Sequence, residues 1–291
     1  MLTEQEITSS STPIDHTKEN VLDFPRISQA QAACKDIYLG LRKWRIWTML
    51  AYQDIKLRYR RSVLGPFWIT ISMAITVYSM GYLYGHLFHV ELQHYYPFLV
   101  AGMLGWSLIS TMVMEYTDAF VVSDRLIKQI KLPFSLHIHR IAYRNMIIFF
   151  HNILVIIPIL AIFHDYAKVN WHTLLLFPGL LIIYVNAITY GLILAMLGSR
   201  YRDISQIIKS LVQVVFFITP VMWNPNVLSP KNQFAIDFNP FYAFLELIRQ
   251  PLLGKVPTLH NLIAVLIVTC IGILLSAGMF KRYRARIVYW L

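Results

Sequence analysis

The sequence predicts an all-α integral membrane protein with six transmembrane helices, and three observations predict it. Of 291 residues, 57% are hydrophobic and only 14% charged, whereas a soluble domain carries about 25% charge; mean hydropathy is +0.53. Six apolar runs reach the roughly 20 residues a bilayer requires: Val63–Phe88, Pro97–Val122, Ile141–Phe163, Leu174–Leu197, Ile204–Met222 and Leu262–Phe280. With both termini placed in the cytoplasm, the 26 lysines and arginines fall on the cytoplasmic side except Lys168, Lys231, Arg249 and Lys255, as the positive-inside rule demands. That segregation accounts for the net charge of +11 without nucleic acid as a partner.

Residues 1–30 are polar and lack the apolar core of a cleavable signal; they predict a disordered cytoplasmic tail. Residues 31–62 form an interface helix and basic linker. Within "CKDIYLGLRKWRIWTML", Ile37, Leu41, Trp44 and Thr48 share one helical face, while Lys35, Arg42, Lys43 and Arg45 fall largely elsewhere. This pattern predicts one amphipathic helix lying in the cytoplasmic membrane interface; packing on soluble protein is the alternative. Cys34 lies in this stretch and Cys270 inside the last span, so no disulfide is expected.

The membrane domain covers 63–280, followed by a basic cytoplasmic C-terminus, 281–291. Pro66 at the entrance to the first span marks a helix start, where its missing N–H costs no hydrogen bond. Gly81 and Gly85 form a GxxxG pair that admits another helix closely. Between spans two and three, "SDRLIKQIKLPFSLHIHR" offers Ser123 as a cap, then Leu126, Ile127 and Ile130 among Lys128, Lys131 and Arg140. It predicts a short cytoplasmic helix ending near Pro133, with an apolar face that needs a cytoplasmic partner.

Thr219-Pro220 interrupts the fifth run, where a proline removes a backbone bond in a solvent that cannot replace it. Beyond it, Trp223–His260 contains "FNPFYAFLELIRQPLLG", too apolar for a solvated loop and too rich in Pro240, Arg249, Gln250 and Pro251 for a regular span. External re-entrant helices fit, since irregular backbone at membrane depth needs protein or a water-filled cavity to receive it.

Catalytic signatures are sparse. No GxxxxGK[ST] phosphate loop occurs, so ATP binding by that route belongs to another polypeptide. His86, His89 and His94 lack a zinc-site spacing, and His137, His139 and His151 do not pair across spans as a membrane haem requires. His151 and Asn152 read as an interhelical hydrogen-bonding pair. Glu115 and Asp118, near Arg125 and Lys128, read as helix-end charge pairing. What the spans do carry is a stripe of Gln206, Ser210, Gln213 and Phe217, and Tyr78 and Tyr82 four apart. Aromatics with amides suit a sugar-conducting pore, and they equally suit helix packing or interfacial belts.

"DIKLRYRRSVLGPFW", "LIKQIKLP", "SRYRDISQII", "FFITPVMWNP" and "FNPFYAFLELIR", in this order from about Trp44 onward, resemble the membrane subunit of polysaccharide-exporting ABC transporters, which move O-antigen, capsule or teichoic acid. The resemblance implies a transport subunit and not an enzyme, paired with a second copy of itself in the lipid of the bacterial inner membrane. It carries no cofactor of its own; ATP and Mg belong to two cytoplasmic ATPase subunits bound below. Asp124, Leu126, Ile127, Ile130 and Lys131 would dock the ATPase, with Ile37, Leu41 and Trp44 beside them. Tyr78, Tyr82, Gln213, Phe217 and Trp223 would contact an undecaprenyl-linked polysaccharide, O-antigen foremost. Pro220, Asn239, Pro240 and Arg249 would shape the re-entrant mouth. Export of a small hydrophobic compound is an alternative; a membrane glycosyltransferase is another, although Asp203 and Asp237 are too isolated to build its metal-nucleotide site.

Overall fold

A computed structural model of the chain describes residues 28–65, 67–87, 89–163, 169–225, 229 and 233–291. The polar tail through residue 27 and the expected entry proline, Pro66, lie outside the described residues. Everything regular within them is helical.

The interface segment forms two helices where one was expected. Ser28 and Gln31 close a capping box that starts α1, Gln29–Arg42, and α2 follows as Trp44–Arg58, with the break at Lys43. Ala33, Asp36 and Gly40 of α1 and Trp47, Ala51 and Ile55 of α2 are buried. Both helices pack on α7, Phe134–Asn152. The apolar stripe predicted from spacing is the other face: Ile37, Leu41 and Trp44 are exposed, with Tyr38 beside them.

Five helices have the length and hydropathy to cross a bilayer. They are α3, Phe67–Leu87; α4, Leu92–Thr117; α7 continuing through a 3-10 turn into α8, Ile156–Ile162; α9, Leu176–Arg200, led by a 3-10 turn from Trp171; and α13, Leu259–Tyr283, running on to α14, Ile287–Trp290. Helix α4 is the axis: 67% of its apolar window is buried, against 11% for α3 and 17% for α13. The Gly81 and Gly85 pair admits α4 itself, since a Cβ there would meet the Tyr96 ring and the Leu92 side chain within 2.3 Å.

The expected fifth span is shorter than its apolar run. α10, Asp203–Ile218, has 16 residues and spans about 24 Å at 1.5 Å per residue, under the ~30 Å hydrocarbon thickness. It stops because Thr219 precedes a proline and is driven to an extended ψ of 132°. The chain then passes through α11, Phe234–Asp237, into α12, Pro240–Leu252, which packs on α4, α9 and α13. Phe241 meets Trp106 at 6.2 Å between ring centroids, and Arg249 lies 4.1 Å over the Phe98 ring. Helix α12 therefore climbs antiparallel to α4, beginning about 21 Å below the start of α4.

Between spans, α5, Ala119–Val122, leads to α6, Asp124–Gln129. α6 ends before Pro133, which instead begins α7, and the buried Ser123 makes no side-chain cap. Because α7 starts at Phe134, His137 and His139 lie within a helix and are buried, correcting their placement in a loop; His139 stacks on Trp47 and its Nδ1 lies 2.8 Å from the Tyr184 hydroxyl. The expected interhelical hydrogen bonds from the His151 and Asn152 side chains are not made among the described residues: His151 Nδ1 faces the Ile147 carbonyl of its own helix at 2.8 Å, and Asn152 Oδ1 is buried without a partner.

Candidate functional site

The break after α10 is received by a buried arginine. Arg249 is 0% exposed. Its Nε donates to Glu246 at 2.7 Å, and its Nη1 donates to the Pro220 carbonyl at 2.7 Å. Glu246, one turn earlier on α12 and also buried, accepts from Gln250 as well. An ion pair this deep needs every donor and acceptor matched, because each charge has lost its water. The Phe98 ring beneath the guanidinium supplies a further favourable contact.

A second bond ties the same turn. Asn239 Nδ2 donates to Thr219 Oγ1 at 2.9 Å, while Asn239 Oδ1 accepts the Phe241 and Tyr242 amides that open α12. Asparagine at the cap with Pro240 at the first helical position starts a helix efficiently. The Trp223 indole N–H donates 3.2 Å to the Phe217 carbonyl, covering one of the orphaned acceptors at the end of α10. Pro220, Asn239 and Arg249 thus meet at one turn, and Trp223, grouped by the resemblance with the substrate-contacting residues, folds back onto the end of α10 beside them. Above them Tyr95, Phe98, Trp223 and Lys255 line a cavity of about 530 Å³.

Helix α10 is open on most of its surface. Val212 alone among its residues is buried, and Gln206, Ser210, Gln213 and Phe217 all lie on the exposed side. The two tyrosines of α3 are not brought to this stripe. Tyr82 is exposed beside His86, whereas the Tyr78 hydroxyl donates 2.6 Å to the Val155 carbonyl in the seam with α7 and α8.

On the opposite end, Ile130 and Lys131, just past α6, are exposed, while Leu126 of α6 is half-buried and Ile127 packs against the core. Asp124 pairs with Lys128 at 2.8 Å. A charge network anchors the platform from which α6 projects. Asp54 of α2 accepts from Arg140 at 2.8 Å and Arg144 at 2.7 Å; Arg144 also reaches Glu115 at 2.7 Å, and Arg58 reaches Glu115 at 3.1 Å. Glu115 therefore pairs with Arg58 and Arg144, and Asp118 with Lys209 at 3.2 Å, in place of the expected Arg125 and Lys128. Burial raises the Asp54 carboxyl, but the hydrogen bonds and charge of Arg140, joined by Arg144, outweigh it and hold the group below its ordinary value.

Asp36, unremarked by sequence patterning, is the hinge of this end. Its buried carboxylate accepts the Phe134 and Ser135 amides at 3.2 and 3.1 Å, capping α7 from a different helix. It also binds Arg284 at 2.9 Å, beyond the end of α13. Gly40 allows the approach, since a Cβ there would stand 2.1 Å from Ser135 Oγ. The one sequence signal for this cap was an acid on the polar side of an otherwise basic amphipathic helix.

Comparison with known proteins assigns the family. The sequence profile described as ABC-2 type transporter matches residues 45–253, from the start of α2 to the end of α12. Among similar proteins, an O-antigen export system permease protein RfbA of Klebsiella pneumoniae is 22% identical over 205 residues, covering 68% of this chain and 76% of its own. A protein of the same name from Myxococcus xanthus is 24% identical over 205 residues, covering 67% and 75%. With five membrane-length helices and a family profile across most of its length, the chain belongs to the ABC-2 type transporter family as a membrane-embedded transport subunit.

Proposed function

We propose that this chain is the permease subunit of an ATP-driven exporter of lipid-linked polysaccharide, O-antigen foremost, acting as a homodimer with two cytoplasmic ATPase subunits in the bacterial inner membrane. The observation that carries the pore reading is α10: Val212 packs toward α4, while Gln206, Ser210, Gln213 and Phe217 form an amide-and-aromatic face left exposed among the described residues. A second copy facing it encloses a conduit lined by Gln206, Gln213 and Phe217, groups that grip sugars through ring stacking and amide hydrogen bonds. The similar proteins from Klebsiella pneumoniae and Myxococcus xanthus, named as O-antigen export permeases, support that substrate class.

Six crossings with both termini cytoplasmic is the topology we assign. The Asp36–Arg284 bond holds α1 against the end of α13, which supports an even number of crossings between them. Helix α10 together with the returning α11 and α12 supplies the sixth. The outward Ile130 and the exposed stripe of Ile37, Leu41 and Trp44 are the ATPase contacts, with ATP and Mg held by that partner.

The test is deletion of the gene in its native bacterium, with surface polysaccharide and lipid-linked glycan analysed by gel and mass spectrometry. Loss from the surface with long undecaprenyl-linked chains accumulating inside is the expected result and identifies the glycan. Unchanged surface polysaccharide, or chains never made, overturns the assignment.

A further inference from the structure

A cavity of about 340 Å³ opens beside Asp36, between α1, the residues leading into α7 and the segment after α13. Lys35, Lys43, Lys131 and Arg284 line it, drawn from three separate parts of the chain. Asp36 is the one acid among the lining residues, and it is already engaged by the α7 amides, Ser135 Oγ and Arg284. Among the described residues no carboxylate lies within ion-pair distance of Lys35, Lys43 or Lys131. Three lysines that line one concavity with no carboxylate against them among the described residues carry like charges into it, a repulsion that a bound anion relieves.

The geometry points to a site for a phosphate-bearing ligand. Arg284 is pre-positioned for it. Its Nε and Nη2 both meet Asp36 Oδ2 at 2.9 Å, and its guanidinium sits 5.6 Å from the Phe134 ring centroid. A guanidinium carries five N–H donors, so the Asp36 contacts leave others for an incoming oxygen. Lysines deliver compact charge to phosphate without demanding one geometry. A concave pocket of this size, backed by Pro133 and Leu132, favours a small anionic group over the acidic surface of a protein. The α7 helix terminus is not the attraction, because Asp36 occupies its amides.

Two sources present this chemistry, an anionic phospholipid headgroup and a soluble phosphate. Neither depends on which substrate the transporter exports, so the proposal stands apart from the export assignment. The experiment uses the full-length chain, delipidated in neutral detergent, titrated by calorimetry with inorganic pyrophosphate and, separately, with a short-chain phosphatidylglycerol. The variant Lys35→Glu/Lys43→Glu/Lys131→Glu is compared with Arg42→Glu/Arg45→Glu/Lys56→Glu, which changes net charge equally but at positions on α1 and α2 that do not line the cavity. A decrease in affinity of about tenfold or more in the pocket variant alone is expected, since each charge-assisted contact contributes on that order. Binding of pyrophosphate assigns a soluble ligand; binding of the lipid alone assigns a headgroup. No binding of either ligand, or equal weakening in both variants, overturns the site. Circular dichroism and elution volume matching wild type establish that the pocket variant is folded; should it not be, the single Lys35→Gln, at an exposed position, carries the same comparison with Arg42→Gln.

Discussion

Arg249 reaches 29 residues back along the chain to donate to the Pro220 carbonyl at 2.7 Å, from a side chain with no solvent exposure. Because α10 ends at Ile218, the Pro220 carbonyl lies past the helix and has no donor from it. Here the turn and the buried charge satisfy each other, with Glu246 neutralising the guanidinium and Phe98 beneath it.

Arg249→Met leaves Glu246 buried and uncompensated and strips the Pro220 carbonyl of its donor. The expected loss is about 3–5 kcal/mol, the scale for removing one member of a buried pair. Arg249→Lys keeps the charge but loses the planar fork and is expected to fall between the two. Thermal unfolding in detergent, followed by size-exclusion elution, measures it; wild-type stability in Arg249→Met would show that the turn does not depend on this bond.

Tyr78 and Phe217 separate packing from transport. Tyr78→Phe removes a bond to the Val155 carbonyl and is expected to cost about 1 kcal/mol with export unchanged. Phe217→Ala removes an exposed ring of the α10 stripe and is expected to slow glycan export severalfold while membrane insertion is retained. Surface-glycan pulse labelling distinguishes them, and the opposite ranking would relocate the pore.

On α6, Ile130→Glu changes an outward residue, so the subunit should insert normally while its co-purification with the ATPase and its coupling to ATP hydrolysis fall. Ile127→Glu is expected to damage folding instead, because Ile127 packs on the core. Intact complex formation by the Ile130 variant would remove α6 from the docking surface.

Burial raises the Asp54 carboxyl, but the guanidinium groups of Arg140 and Arg144 outweigh it and hold the group below the ordinary aspartate value. A depressed carboxylate contributes stability that is present above the unfolded-state pKa and lost as pH falls through the folded one. The contribution is therefore complete near neutrality and disappears below about pH 4. Protease cleavage in α2 should rise on acidification through that range, and Asp54→Asn should be cleaved readily at every pH. A variant whose cleavage kept the wild-type acid step would place the titrating group elsewhere.

Much of this architecture is legible in the sequence because local chemistry decides it. Thr219-Pro220 ends α10 because Thr219 takes an extended ψ before the proline, and Asn239-Pro240 carries its own cap. Ile37, Leu41 and Trp44, which helical spacing grouped on one face, are all exposed, whereas the break at Lys43 between α1 and α2 had no signal in their spacing. Arg249 was harder. Charge distribution placed it outside the membrane by number alone, and its burial depends on Phe98 and Pro220, both distant in sequence; the Glu246 one turn earlier was the available sign of a paired, buried arginine. Asp36 was harder still, since the amides it caps lie about 98 residues away. Tyr78 and Tyr82 show the same limit from another side: helical spacing relates two side chains to each other, and their neighbours decide which one is covered.

The Asp36 junction also orders events during synthesis. Its α7 amides are made well before Arg284, which follows Asp36 by 248 residues. While the intervening helices are being inserted, the carboxylate can cap α7 but has no guanidinium to neutralise it. Helix α1 is thus only provisionally seated on a growing chain, and the last membrane helix locks it when Arg284 emerges, so completion of the final crossing is reported at the first helix.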